Sequence, residues 1–134
     1  MEIGMKFVIL CAMFFCHIFD DYYLQGILAS MKQKNWWKEN APDAMYSHDY
    51  YVALVEHSFS WSFSISIPLL AAVIAYGSKD SAYLAIIVSY LINTAIHAIV
   101  DNLKANERTI NLITDQAIHG VQVLLTWIII ANIL

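Results

Sequence analysis

Histidine and aspartate recur at a spacing of four residues in three separate parts of this chain. The three pairs are His17 with Asp21, His97 with Asp101, and Asp115 with His119. Residues four apart lie on the same face of an α-helix, so both members of a pair can point in one direction. A further histidine, His57, lies in another segment. Zinc, iron and manganese all accept imidazole and carboxylate ligands, so the pattern predicts a divalent-metal site.

The elements that must position these residues are four long apolar segments. We predict helices over about 5–30, 50–76, 81–104 and 109–134, with a polar loop over 31–49. Each helix exceeds the roughly 20 residues that cross a bilayer core of about 30 Å. The chain is 60% apolar and 13% charged, with a mean hydropathy of +0.57, whereas about a quarter of a soluble domain is charged. The sequence therefore predicts one all-α domain over 1–134, an integral membrane four-helix bundle of antiparallel transmembrane helices.

One stretch of the second segment carries a competing pattern. Serine alternates with apolar residues from Ser60 to Ile67, which is the period of a β-strand. A lone strand in lipid would leave its backbone groups unpaired at a cost of several kcal/mol each. We therefore predict a helix here, with a kink at Pro68.

The three histidine–aspartate pairs and His57, seven residues in all, are predicted to lie in the loop-side half of the membrane. Antiparallel packing brings these parts of the helices together, whereas the opposite half is nearly free of charge. An uncompensated aspartate near the membrane centre costs roughly 2.5–3.5 kcal/mol, and a divalent ion would offset that cost. Zinc is the ion expected first, and iron or manganese would accept the same donors. The expected ligands are His17, Asp21, His57, His97, Asp101, Asp115 and His119.

The predicted ligand set is larger than one zinc ion needs. Either two ions bind, or some aspartates orient a ligating histidine. Asn93, Asn111 and Gln25 each lie four residues from a member of the set and suit an outer layer of hydrogen bonds. Asp20 is turned about 100° from Asp21 and is expected outside the site, although its spacing of three residues from His17 would let it replace Asp21. A simpler hypothesis, in which the whole cluster serves only packing, stands beside the metal hypothesis.

Charge in the loops predicts the orientation of the chain. The loop side carries five basic residues, which are Lys32, Lys34, Lys38, Lys104 and Arg108. The side of the two termini carries only Lys6 and Lys79. Because basic residues favour the cytoplasmic side, we predict that the loop is cytoplasmic and that both termini lie outside the cytoplasm.

The polar residues of the four segments together form a pattern similar to that of a known family. Along the chain they are His17-Asp21-Gln25, His57, His97-Asp101-Lys104 and Asp115-Gln116-His119, that is HxxxDxxxQ, a histidine, HxxxD with a lysine, and DQxxH. This pattern resembles the small bacterial and phage membrane proteins grouped as domain of unknown function 3307, over nearly the whole chain. The resemblance implies a place in the bacterial cytoplasmic membrane and adds Gln116 and Lys104 to the outer layer. It implies no established activity.

Several functions fit these observations. The first is a metal-dependent hydrolase acting on a lipid or lipid-linked substrate at the cytoplasmic side, and the motifs are loosely similar to those of membrane-bound metal-dependent hydrolases. The alternatives are a component of an ion, proton or metal transporter, a haem protein, and a phage-encoded membrane interaction protein with a structural metal site. The expected partners are the lipid bilayer, a lipid-derived substrate and further copies of the chain as a homo-oligomer. A net charge of −4 without a basic patch argues against nucleic acid.

Overall fold

The computed structural model of the protein describes residues 1–77 and 80–134. In these two ranges the chain is helical apart from short connections, and no strand occurs. Two π-helical turns, Asp20–Leu24 and Leu103–Glu107, extend the first and fifth helices, and a 3-10 turn covers Ala44–Tyr46. The predicted all-α class is therefore confirmed. The helices are α1 (Ile3–Phe19), α2 (Leu28–Met31), α3 (Lys34–Asn40), α4 (Tyr50–Tyr76), α5 (Asp80–Asn102) and α6 (Leu112–Ala131).

Four helical stretches are long and apolar enough to cross a membrane. They are Ile3–Leu24, Ala44–Tyr76, Asp80–Glu107 and Leu112–Ala131. Each corresponds to one of the four predicted segments. The chain is thus compatible with a multi-pass membrane protein.

The first helix is shorter than the predicted range of 5–30. Its helical path ends at Leu24, and the chain turns before α2 begins at Leu28. Gly26 lies in this turn with a φ of +51°, a conformation that glycine adopts without the steric cost of a side chain. The predicted loop over 31–49 also contains structure, since it holds α3 and the 3-10 turn. α3 is fastened to the preceding segment by the Trp37 indole, which donates to the Met31 carbonyl at 2.6 Å.

The serine-rich stretch of alternating residues is helical, as predicted. It lies inside α4, which also contains Pro68. Two serines support the helix locally, because Ser58 and Ser66 each donate to the carbonyl four residues earlier at 2.7 Å. The kink at Pro68 stays a prediction.

The long helices surround a core that is apolar toward the chain termini and polar toward the loops. α4 packs against α1 and α5, and α6 packs against α5 and α1. α4 shows the change along its length, since buried His57 and Trp61 are followed by Ile65, Leu69 and Val73 of the apolar core. The other apolar core residues include Ile9, Met13, Ala82, Ile86, Val123 and Ile130. The packing thus places a buried polar cluster at the loop end of an apolar core.

Candidate metal centre

The first π-helical turn brings two adjacent aspartates into the protein interior. Asp20 and Asp21 begin this turn, and both are buried. Asp20 faces α4, where its Oδ2 accepts hydrogen bonds from Ser60 at 3.0 Å and Ser64 at 2.6 Å. Asp21 contacts α4 at a different residue, with its Oδ1 3.3 Å from the Nε2 of His57. Asp20 therefore lies outside the cluster, as expected, but it is fully buried with its own hydrogen-bond donors.

His57 and His97 meet at the boundary between α4 and α5. Their Nε2 atoms are 3.2 Å apart, and both side chains are fully buried. The His57 Nε2 also lies 3.3 Å from Asp21 Oδ1 and 3.5 Å from Asp101 Oδ2. The His97 Nε2 lies 3.8 Å from the same Asp101 oxygen. The Nε2 atoms of both imidazoles thus point into one small space, which the carboxylates of Asp21 and Asp101 also border.

His119 completes the cluster from α6. Its Nε2 lies 3.5 Å from Asp101 Oδ1 and 3.5 Å from Asp115 Oδ1. All three atoms are buried and form no hydrogen bond within the described residues. Buried polar atoms in proteins are nearly always paired, so a nitrogen and two carboxylate oxygens that face one another at 3.5 Å without a hydrogen bond leave a place for a shared proton or a further ligand.

Two lysines from the loop end reach into the cluster. Lys32 donates to Asp101 Oδ2 and Lys104 donates to Asp115 Oδ2, each at 2.6 Å. These ammonium groups supply part of the charge compensation that the sequence analysis assigned to a divalent ion. Three carboxylates and two ammonium groups still leave one formal negative charge before the imidazoles are considered. Each lysine binds the Oδ2 of its aspartate, and the Oδ1 of both aspartates lies 3.5 Å from the His119 Nε2.

The donor atoms are spaced as the ligands of a metal ion would be. Six residues form three overlapping groups, and within each group one ligand atom per residue lies within 4.8 Å of the others. The groups are Asp21, His57 and His97; His97, Asp101 and His119; and Asp21, Asp115 and His119. Around zinc, nitrogen and oxygen ligands at about 2.0–2.2 Å stand about 3.3–3.5 Å from one another. These buried groups could therefore hold a divalent ion.

His17, the remaining predicted ligand, lies beside the cluster and outside these three groups. Its Nδ1 accepts a hydrogen bond from the Trp61 indole at 2.9 Å. The Trp61 ring is fully buried and stacks on His97 at a centroid distance of 4.2 Å. Trp61 thus separates the polar cluster from the apolar core. Trp61 was not predicted as part of the site, although it lies four residues after His57.

Three of the five predicted outer partners bond to the cluster or to a group that orients it. Lys104, described above, and Gln116 bond directly to cluster carboxylates, whereas Asn93 bonds to an orienting group. The Gln116 amide donates to Asp21 Oδ2 at 2.7 Å and to Asp115 Oδ2 at 3.0 Å. Asn93 acts through Gln122, whose amide donates to Asn93 Oδ1 at 3.1 Å. The Gln122 Oε1 in turn lies 3.1 Å from the His119 Nδ1. Gln122 orients the ring of His119 and was not predicted, although it lies one helical turn beyond that histidine.

The two other predicted outer partners do not bond to cluster side chains. Gln25 donates to the backbone carbonyl of Asp21. Asn111 is exposed and accepts a hydrogen bond from the Thr114 N–H at 2.9 Å, which makes it the N-cap of α6.

Comparison with protein-family models, with curated proteins and with solved structures yields no match to this chain. The cluster is therefore interpreted from its own geometry. Six of the seven predicted ligands converge in it, and two lysines and Gln122 accompany them.

Replacing Lys32 with methionine is expected to lower the free energy of unfolding by about 3–5 kcal/mol, because Asp101 would lose its buried cationic partner. Lys34→Met is the matched control, since its ion pair with Glu107 is exposed and such pairs contribute little. Thermal or denaturant unfolding of both variants in detergent measures the difference. Equal destabilisation by the two substitutions would contradict the importance of the buried pair.

Proposed function

We propose that this protein is a membrane-embedded metal protein that hydrolyses a lipid or lipid-linked substrate at the cytoplasmic side of the bacterial membrane. The observation that carries the proposal is the convergence of Asp101 Oδ1, Asp115 Oδ1 and His119 Nε2, which are buried and form no hydrogen bond within the described residues. A cluster that served packing alone would be expected to satisfy these atoms internally. The resemblance of the four motifs to a family of small bacterial and phage membrane proteins agrees with this location.

Exposed apolar side chains support the membrane location. Large apolar residues cover the outward faces of the long helices, among them Phe7 at 64% exposure, Phe63 at 55% and Leu84 at 63%. Water-soluble monomers rarely expose contiguous apolar surface on this scale. A bilayer would cover these faces, and the four apolar stretches are long enough to cross it.

The residues of the cluster divide into metal ligands and orienting groups. His57, His97 and His119 would supply imidazole nitrogens, and Asp21, Asp101 and Asp115 would supply the inward carboxylate oxygens. Zinc is the ion that best suits this mixture, and iron and manganese are the next candidates. When bound, such an ion polarises a phosphoryl or acyl oxygen and makes water more acidic.

Lys104 is placed to contact a substrate. Lys104 approaches from the loop end, and its side chain keeps 26% of its surface exposed, so it can contact a substrate oxygen that enters from that end. The Nδ1 atoms of His57 and His97 are buried and have no hydrogen-bond partner in the described ranges.

The apolar half of the core favours a hydrolase over a transporter. Leu69, Val73 and Val123 are fully buried toward the chain termini and pack in one apolar cluster with Ile130. A polar ion path would need donors or acceptors along this half. Within the described residues, this apolar core blocks access to the cluster from the side of the chain termini. A substrate would therefore reach the cluster from the loop end.

Purified protein is expected to contain near-stoichiometric zinc, iron or manganese, measured by elemental analysis. His97→Ala and His119→Ala should both abolish binding, and Gln122→Leu should weaken it about 10–100-fold, because Gln122 orients His119. His48→Ala is the control, since His48 is exposed in the loop. Wild-type protein that is folded yet takes up none of these ions when each is supplied would refute the metal centre.

Hydrolysis is expected to depend on the metal. Mixed micelles of phospholipids are incubated with the protein, and released phosphate and fatty acid are measured. Chelation should abolish release, zinc should restore it, and the metal-free His119→Ala variant should be inactive. Release that continues in chelated, metal-free protein would show that the activity does not use this centre.

Labelling of single cysteines tests the orientation. Cys11 and Cys16 are first replaced by alanine, and Met45→Cys, at a loop position that is 71% exposed, or Ile3→Cys, at a position that is 88% exposed, is then introduced. In intact cells a membrane-impermeant maleimide should label only the Ile3→Cys variant, because the basic loop is expected in the cytoplasm. Labelling of the Met45→Cys variant from outside would reverse the proposed orientation.

A further inference from the structure

A polar cleft lies at the loop end of the molecule, between the start of α3 and the second π-helical turn. Its volume is about 340 Å³, and its walls include Lys34, Lys38, Asn35, Asn106 and Arg108. None of these five residues belongs to the metal-binding groups. The cleft is therefore a separate feature from the buried cluster.

The charge of this cleft suits an anion. Lys34 is engaged by Glu107, with its Nζ 2.9 Å from Glu107 Oε1, and this hydrogen bond raises the pKa of Lys34. Lys38 and Arg108 form no ion pair within residues 1–77 and 80–134. Two unpaired cations across one cleft, with the amide of Asn35 beside them, are the donors that a phosphate group accepts.

The walls of the cleft are continuous with the segments that enter the cluster. Asn106 joins the two walls, because its Oδ1 accepts from the Lys34 N–H at 2.7 Å and its Nδ2 donates to the Lys32 carbonyl at 3.0 Å. The side chain of Lys32 ends at Asp101, and that of Lys104 ends at Asp115. Lys34 and Asn106 of the cleft walls therefore lie two residues along the chain from Lys32 and Lys104, respectively.

We propose that this cleft binds the phosphate of a phosphate ester, with Lys38 and Arg108 as its charged contacts, and that phosphate esters are the substrate class presented to the cluster. The second half of this inference rests on the proposed hydrolase function, whereas binding in the cleft can be measured without metal. The same phosphate chemistry occurs in an anionic lipid headgroup and in a soluble phosphate ester.

Native mass spectrometry of the full chain in detergent tests the binding. The lipid probes are phosphatidic acid and, as the phosphate-free control, diacylglycerol, and the soluble probe is glycerol 3-phosphate. Phosphatidic acid or glycerol 3-phosphate should bind in preference to diacylglycerol. The Lys38→Gln/Arg108→Gln variant should bind about tenfold more weakly, as expected for the loss of charge-assisted hydrogen bonds.

A charge-matched variant separates a built site from general electrostatic attraction. Glu39 and Glu56 are exposed, so adding Glu39→Gln and Glu56→Gln to the double variant restores the net charge without rebuilding the cleft. Binding should stay weak in this quadruple variant, and Lys38→Arg/Arg108→Lys should retain it. Recovery in the quadruple variant, or equal binding of diacylglycerol, would overturn the site.

The outcomes distinguish this inference from the hydrolase proposal. Preference for phosphatidic acid identifies a lipid headgroup, and preference for glycerol 3-phosphate identifies a soluble ester. Phosphate-selective binding by a protein that takes up no metal would support the cleft and refute the metal centre. Metal uptake without phosphate-selective binding would refute the cleft alone.

Discussion

Three carboxylates buried among apolar helices impose the constraint on which the rest of the structure depends. Asp101 and Asp115 are fully buried and Asp21 keeps 4% of its surface. Isolated charges in such surroundings are strongly unfavourable, so each carboxylate must find donors or cations. Each one binds an outer donor through one oxygen, since Gln116, Lys32 and Lys104 hold Asp21, Asp101 and Asp115 respectively. The other oxygens of the three carboxylates lie 3.3–3.5 Å from histidine Nε2 atoms, and the Lys32-bound Asp101 Oδ2 also lies 3.5 Å from the His57 Nε2.

The two π-helical turns are the backbone features that make this arrangement possible. A π-helical turn contains an extra residue, so it changes which side chains face inward without ending the helix. The first turn begins with Asp20 and Asp21, and both are buried. The second begins directly after Asn102 and carries Lys104 to Asp115. Both interruptions occur next to the cluster, where they serve its geometry.

Helical periodicity was sufficient to predict the pairs on α5 and α6, and the clustering of the polar residues at the loop end followed from segment order. It could not predict contacts made by irregular backbone. Lys32 enters the cluster from a loop, and no spacing rule relates it to Asp101 on another helix. The spacing of His17 and Asp21 did not predict that His17 lies outside the three metal-binding groups, where its Nδ1 accepts from Trp61. At Asn111 the spacing predicted an outer partner of the site, because the residue lies four positions before Asp115. In the structure Asn111 is instead an exposed helix cap.

The positions of the lysines also bear on how many ions the proposed centre would hold. With Lys32 and Lys104 in place, the inward donors are one oxygen from each of Asp21, Asp101 and Asp115 and the Nε2 atoms of the three histidines. One zinc ion needs four ligands, so this set satisfies a single ion with two groups left to orient it or to exchange protons. Two ions would draw on the carboxylate oxygens that the ammonium groups occupy. Each ammonium group would then lie close to a divalent cation of the same sign. The Coulombic repulsion between them grows as the local dielectric falls. The lysine contacts therefore favour one ion over two.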